Sequence, residues 1–372
     1  MRIWIVWVFV LLSAWTLRTG RAAEPAADAQ LGELVAEPVP VHASLPAPVN
    51  RLTGAAIWVN PLDASASRIV ITNQARGIEV HDLAGYLLKH LDEGYETDSI
   101  TILHGFRLAG RATDLVLATY PDKRVNGVAM WAISAEKAKL KPLPGSDRFV
   151  VPGNPDPRGI TAYHSRKTDK CYAFVTATDG NIDQLELTSD KDGEITATPV
   201  RHLSVPSKTQ GCVADEERGV VYFSEEKKGV WRFDAEPDGD QQGTMVIRVG
   251  EHGLIPDVEG IALYSLPEGK GYLIVVGQGS KTGRSRMNVY DRQDCHFVGA
   301  IVPSPANGNG VEFASAVAAT SAPLPEFPAG LLLIRDHLNP NGSEDFKYYS
   351  WADCAKALHL ETGSPVGSTA TK

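Results

Sequence analysis

Four carboxylates, Glu225, Glu226, Asp257 and Glu259, are the residues of this chain best suited to chemistry. Each falls where an apolar run stops, so a fold built from those runs would bring them to one rim. Carboxylates gathered there repel one another unless a cation joins them, and hard oxygen ligands of this kind suit calcium. Acidic turns are also commonly just solvated, and spacing alone leaves both readings open.

Other constellations are weaker. No G-x-S-x-G nucleophile elbow is present. GQGSKTG at Gly277–Gly283 lacks the long succeeding helix of a phosphate loop, and His164 in YHS reads as a structural histidine rather than a general base. Trp58, Trp131, Trp231 and Trp351 fit packing better than a ligand cage.

The elements that must position the acids are short strands. Around them the spacing predicts strands at Gly211–Ala214, Val220–Ser224, Gly229–Asp234 and Met245–Val249, separated by charged or Gly turns. The same order of strand and turn begins near Ala55 and returns near Ile100, Gly159, Gly211, Gly260 and Phe313, at intervals of roughly fifty residues. That period predicts an all-β chain, a six-bladed β-propeller spanning 52–358. Ser134–Lys141 and the segment around Trp351–Leu358 are the short stretches that keep a helical period. An open stack would leave bare edges, so one end must complete the other. The runs Ala329–Ile334 and Phe346–Trp351 are expected to share a blade with the first strands after Leu52.

Outside that span, 1–23 reads as a signal peptide: Arg2 precedes an apolar run, Ile3–Trp15, too short for a comfortable span, and small residues follow. Export to the exterior or the periplasm is expected, with no membrane association after cleavage. The 24–51 segment is rich in Ala, Pro and acids and reads as a flexible leader, and 359–372 as a disordered tail. The formal charge of −9, from 45 acids against 36 Lys and Arg, argues against a nucleic-acid partner. Cys171 and Cys212 lie in apolar strands; Cys295 and Cys354, among polar residues, are the better candidates to pair in an oxidising compartment.

Several runs carry a resemblance: AIWVNP, IVITNQARGIEVHDLAG, AYHSRKTDKCYAFVTATDGNIDQLEL, TQGCVADEERG, YFSEEKKGVWRFDAEPDG, PDVEGIALY and GKGYLIVVGQG. Together, from about Leu52 to Ala357, they resemble the β-propeller phytases. The resemblance implies a six-bladed, calcium-dependent phosphatase that removes phosphates from myo-inositol hexakisphosphate with a calcium-activated water at the top of the channel. Carried over by motif, Glu226, Asp257 and Glu259 match calcium ligands and, with Gln210 where the family has an acid, are the residues the resemblance implies for catalysis. Asp179 matches approximately a further calcium-site acid, where the family has Glu, and is assigned to substrate binding.

Other positions depart from the family pattern. Thr53 and Gly54 replace an acidic pair, Gln74 and Ala75 replace lysines, Pro121 an arginine and Thr178 a lysine. Arg158 stands for a tyrosine, and GNGVEFAS at Gly308–Ser315 keeps only Glu312 of an acid-rich segment. Arg76, Arg158, Lys227 and Lys228 are the substitutes for the lost positive charge, with Arg76 and Arg158 assigned to substrate binding. The expectation is a monomeric hydrolase of a small anionic phosphate ester, with weak or lost activity. The alternative is a non-catalytic propeller that binds an anionic ligand or a protein partner.

Overall fold

The strand Cys171–Ala177 is buried at every position, and its side chains divide by parity. Ala173 and Val175 pack with Leu115, Leu117 and Met130 of the preceding sheet. Tyr172 and Phe174 pack with Val221, Phe223 and Phe233 of the following one. Successive side chains of a strand point to opposite faces, so a strand apolar throughout needs a sheet covered on both sides. Repeated around the chain, that requirement builds a ring.

The structure is a computed structural model that describes residues 36–39, 43–46, 51–91, 95–122, 126–143, 151, 154, 156–278, 285–303, 311–339 and 342–363. Six sheets succeed one another, at 52–91, 100–142, 157–204, 212–248, 258–303 and 317–350. Their first strands are Leu52–Trp58, Ile100–Leu108, Pro157–His164, Cys212–Asp215, Val258–Ser265 and Val317–Thr320. Each first strand touches the next, and the sixth touches the first. The chain is a six-bladed β-propeller. Its apolar side chains gather between neighbouring blades: Trp58 and Val70 meet Val116 and Trp131 between the first two, and Phe346 and Leu333 meet Ile69 and Ile71 where the ring closes.

Closure differs from expectation. The sixth blade takes Ala43–Pro46 as its outer strand, antiparallel to Asp345–Ser350. Ala36–Val39 lies parallel to Phe297–Pro303 at the edge of the fifth. The strands after Leu52 instead form a four-stranded blade of their own, and the 24–51 segment, read as a flexible leader, contributes two strands. An edge strand needs backbone donors and acceptors on one side only, so an Ala- and Pro-rich segment without alternation suffices there.

Other expectations also change. Ser134–Lys141 is a hairpin joining Gly127–Ser134 to Lys139–Pro142; pairing overrides its helical composition. Trp351–Leu358 is a helix, with Trp351, Cys354, Ala355 and Leu358 buried. The chain then stays docked through Gly363: the Glu361 amide donates to the Tyr272 hydroxyl at 2.8 Å and the Gly363 amide to that of Tyr264 at 3.2 Å. All four cysteines are free. Cys295 packs between the fourth and fifth blades and Cys354 between the fifth and sixth, so the expected pair is separated by a sheet. Burial pushes the Cys354 thiol up to about 12. The signal peptide at 1–23, the residues from 364 onward and Gly308–Gly310 lie outside the described residues. Among the described residues, no helix is long and apolar enough to cross a membrane.

Candidate active site

Every blade sends one residue to the mouth of the central channel at the head of its first strand. These are Thr53, Asp98, Arg158, Gln210, Glu259 and Ser315. The residue that follows each is small: Gly54, Ser99, Gly159, Gly211, Gly260 and Ala316. Close approach explains two of the glycines. A β-carbon on Gly159 would lie 1.7 Å from the Gln210 carbonyl oxygen, and one on Gly211 1.9 Å from that of Glu259. Each blade therefore seats its neighbour's mouth residue by the backbone.

Hydroxyls on the second strands complete the seating. Thr119 accepts from the Ser99 amide at 2.9 Å and donates to the Arg158 carbonyl at 2.6 Å. Thr176 likewise accepts from the Gly159 amide at 2.8 Å and donates to the Gln210 carbonyl at 3.4 Å. Mouth residues are thus fixed by strands rather than loops, which holds side chains more precisely.

The mouth encloses about 410 Å³ and adds Arg51, Gln74, Thr178, Lys208, Arg335, His337 and Glu344 to the six. A second cavity of about 220 Å³ continues down the channel between the first strands. Asp98, 2 % exposed, accepts from Arg158 at 3.1 Å on one oxygen and from Gln210 at 3.2 Å on the other. Burial nevertheless raises the Asp98 pKa, with Arg158 opposing the shift. Arg158 also reaches Asp156 at 2.9 Å. Across the opening, Arg335 donates to Ser315 and, at 3.0 Å, to Glu344.

Three acids lie on the fourth and fifth blades. Glu226, 6 % exposed, has Lys208 Nζ 2.5 Å from its Oε1. Asp257, in the left-handed region at φ 62, is paired with Lys227. Glu259 is pushed up to about 7, by burial first and by the charge of Glu226 second. A carboxylate crowded by a like charge is relieved by a cation. Among the described residues, the set of three metal-competent side chains closed to within 4.8 Å is Asp291, Asp294 and His296. Glu226, Asp257 and Glu259 stand further apart than that, with Lys208 and Lys227 on two of them.

A family model described as Phytase matches residues 9–363. A 3-phytase of Bacillus subtilis (strain 168) is 30% identical over 310 residues, covering 82% of this chain and 80% of that protein. The chain belongs to the phytase family. Two solved structures share less with this phytase-family propeller. The β-propeller domain of Cps50 (Swd1) from Myceliophteria thermophila has 12% identity and a TM-score of 0.47, covering 80% of this chain and 83% of that one. A protein of unknown function from Desulfotomaculum acetoxidans has 17% identity and a TM-score of 0.46, covering 69% and 74%.

Within the phytase-family mouth, Arg158, Gln210 and Glu259 line one cavity, whose lining does not include Glu226 or Asp257. Arg76 does not line it: its guanidinium lies 2.9 Å from His90 Nε2 and 3.9 Å from Glu79, inside the first blade. Asp179 is exposed and accepts from the Asn181 amide at 3.0 Å and its side chain at 2.7 Å, which makes it a turn residue. Asp98, Lys208, Arg335 and Glu344 were missed. Asp98-Ser99 could have been found, because it sets a polar residue before a small one at the head of a first strand, as Arg158-Gly159, Gln210-Gly211 and Glu259-Gly260 do.

Proposed function

We propose that this phytase-type phosphomonoesterase hydrolyses myo-inositol hexakisphosphate or a related small phosphate ester at the channel mouth, slowly and with calcium. The observation that carries the reading is the convergence of Glu259 with Arg158, Lys208 and Arg335 on one cavity of a phytase-family propeller. Phosphoryl transfer needs positioning and charge neutralisation more than covalent help from the protein. The guanidinium and ammonium groups hold phosphate oxygens and orient the ester. Glu259, whose carboxyl is pushed up by burial and by Glu226, holds a proton in the absence of the ion and gives it up when the ion binds. With Lys208 and Lys227 displaced and the three acids drawn together, Glu226, Asp257 and Glu259 would hold calcium, which when bound neutralises phosphate charge and lowers the pKa of a ligated water. The apolar run after Arg2 supports an exported enzyme.

Slow turnover follows from the substitutions: Gln74, Pro121 and Thr178 carry no positive charge, and Thr53, Gly54 and Gln210 no negative charge. Phosphate release from phytate, with calcium and with chelator, tests the reading. Release below roughly ten per second, lost with chelator, is expected; no release from phytate or simpler monoesters at any calcium level rejects it. A binding propeller without turnover is the second reading. It is favoured by Arg158 being held between Asp98 and Asp156, and phytate binding without release would select it.

A further inference from the structure

Arg335 enters the mouth from the second strand of the sixth blade, Leu331–Asp336, opposite Arg158. It is 9% exposed, and its anchors are Ser315, Glu344 at 3.0 Å and His337 Nδ1 at 2.8 Å. Glu344 is itself fixed, accepting from the Leu52 amide at 2.8 Å. The guanidinium is therefore locked to both sides of the ring closure. A guanidinium carries five N–H donors, and these anchors take three of them. Its charge extends across the opening, acting on both Asp98 and Glu259.

Lys208 lines the same cavity from the fourth blade, its side chain 45% exposed, so its ammonium can turn from Glu226 toward a ligand. The cations that face the mouth thus stand on separate blades. Positive groups held apart around one ring suit an anion bearing several phosphates better than a single phosphate, because each can take a different group. On the side of the first blade the mouth holds Gln74 and Arg51, whose guanidinium is taken up by the Gln74 amide oxygen at 2.9 Å and by Glu96 at 3.6 Å.

We propose that Arg335, with Arg158 and Lys208, forms an anion-orienting triad that binds a multiply phosphorylated small molecule at the mouth without requiring a divalent cation. Arg335 is the specificity-determining member. The inference rests on the mouth being the substrate site, but it concerns binding by the chain's own cations, and binding can be read apart from turnover.

The test is calorimetric titration of the full chain with phytate, and separately with inorganic phosphate, in chelator. Wild type should bind phytate in chelator, and inorganic phosphate far more weakly. Arg335→Gln should weaken phytate binding by roughly ten- to a hundred-fold, Lys208→Gln by less, and Arg335→Lys should recover part of the loss. Arg107→Gln, which removes a cation at the far end of a first strand, should leave binding unchanged and serves as the charge control. Circular dichroism confirms folding, and Lys208→Gln, at an exposed side chain, keeps the test open if Arg335→Gln does not fold.

Two outcomes overturn the triad: wild type that binds phytate only when calcium is added, or folded Arg335→Gln and Lys208→Gln that bind as wild type does. Neither touches the proposed hydrolysis, which fails instead if calcium-loaded wild type releases no phosphate.

Discussion

The carbonyl oxygen of Glu259 fills the space that a side chain on Gly211 would need, 1.9 Å from where the β-carbon would stand. A residue of the mouth is thus placed by the absence of a side chain on the neighbouring blade. Gly211→Ala should therefore displace Glu259 and part the fourth and fifth blades, where backbone, rather than a flexible side-chain end, must shift. The expected loss is about 3 kcal/mol or more, read as a lowered urea midpoint; a midpoint within error of wild type would refute this account of the ring.

Glu259 also sets a pH dependence. Its folded-state pKa of about 7 lies above the ordinary 4.5, so the native state binds its proton more tightly than the unfolded chain does. That contribution to stability is full below about pH 4.5 and is lost as pH rises through about 7. In chelator, Glu259→Gln should match wild type at about pH 4.5 and exceed it by a few degrees in Tm at about pH 8. Thermal melts across this range check it, and a constant difference would count against the shift.

Calcium should raise the Tm of wild type, since a ligand of the native state alone stabilises by about 2.7 kcal/mol at a hundred times Kd. Lys227 occupies Asp257. Lys227→Gln should free that carboxylate and tighten calcium binding by roughly two- to five-fold. A Tm indifferent to calcium in both proteins would remove the ion from this site.

Asp98 holds Arg158 and Gln210 at once. Asp98→Ala leaves the half-buried Arg158 guanidinium with Asp156 alone, and should cost about 1–3 kcal/mol and raise KM for phosphate esters as Arg158 loses its orientation. Unaltered KM in a folded variant would show that Arg158 does not touch substrate.

The blades were legible because burial on both faces makes strands such as CYAFVTA apolar throughout, and because the mouth residue and its small neighbour recur. Arg335 was not legible: it sits on a second strand, within LLLIRD, where parity gives no sign that a charged residue faces the channel. Nor was the direction of Arg76, which depends on His90, a partner one strand further on. The edge strands at 36–39 and 43–46 escaped because backbone pairing leaves no apolar alternation to read.

The sixth blade joins Ala43–Pro46 to Asp345–Ser350, nearly the full length of the chain apart. During synthesis the early strand must wait for the last blade to leave the ribosome before it can pair. Five blades can assemble in order of emergence, but the circle stays open until translation ends. A chain arrested shortly before Asp345 would present a half-built seam with exposed strand edges, the form of this protein most open to proteolysis and to association with other chains.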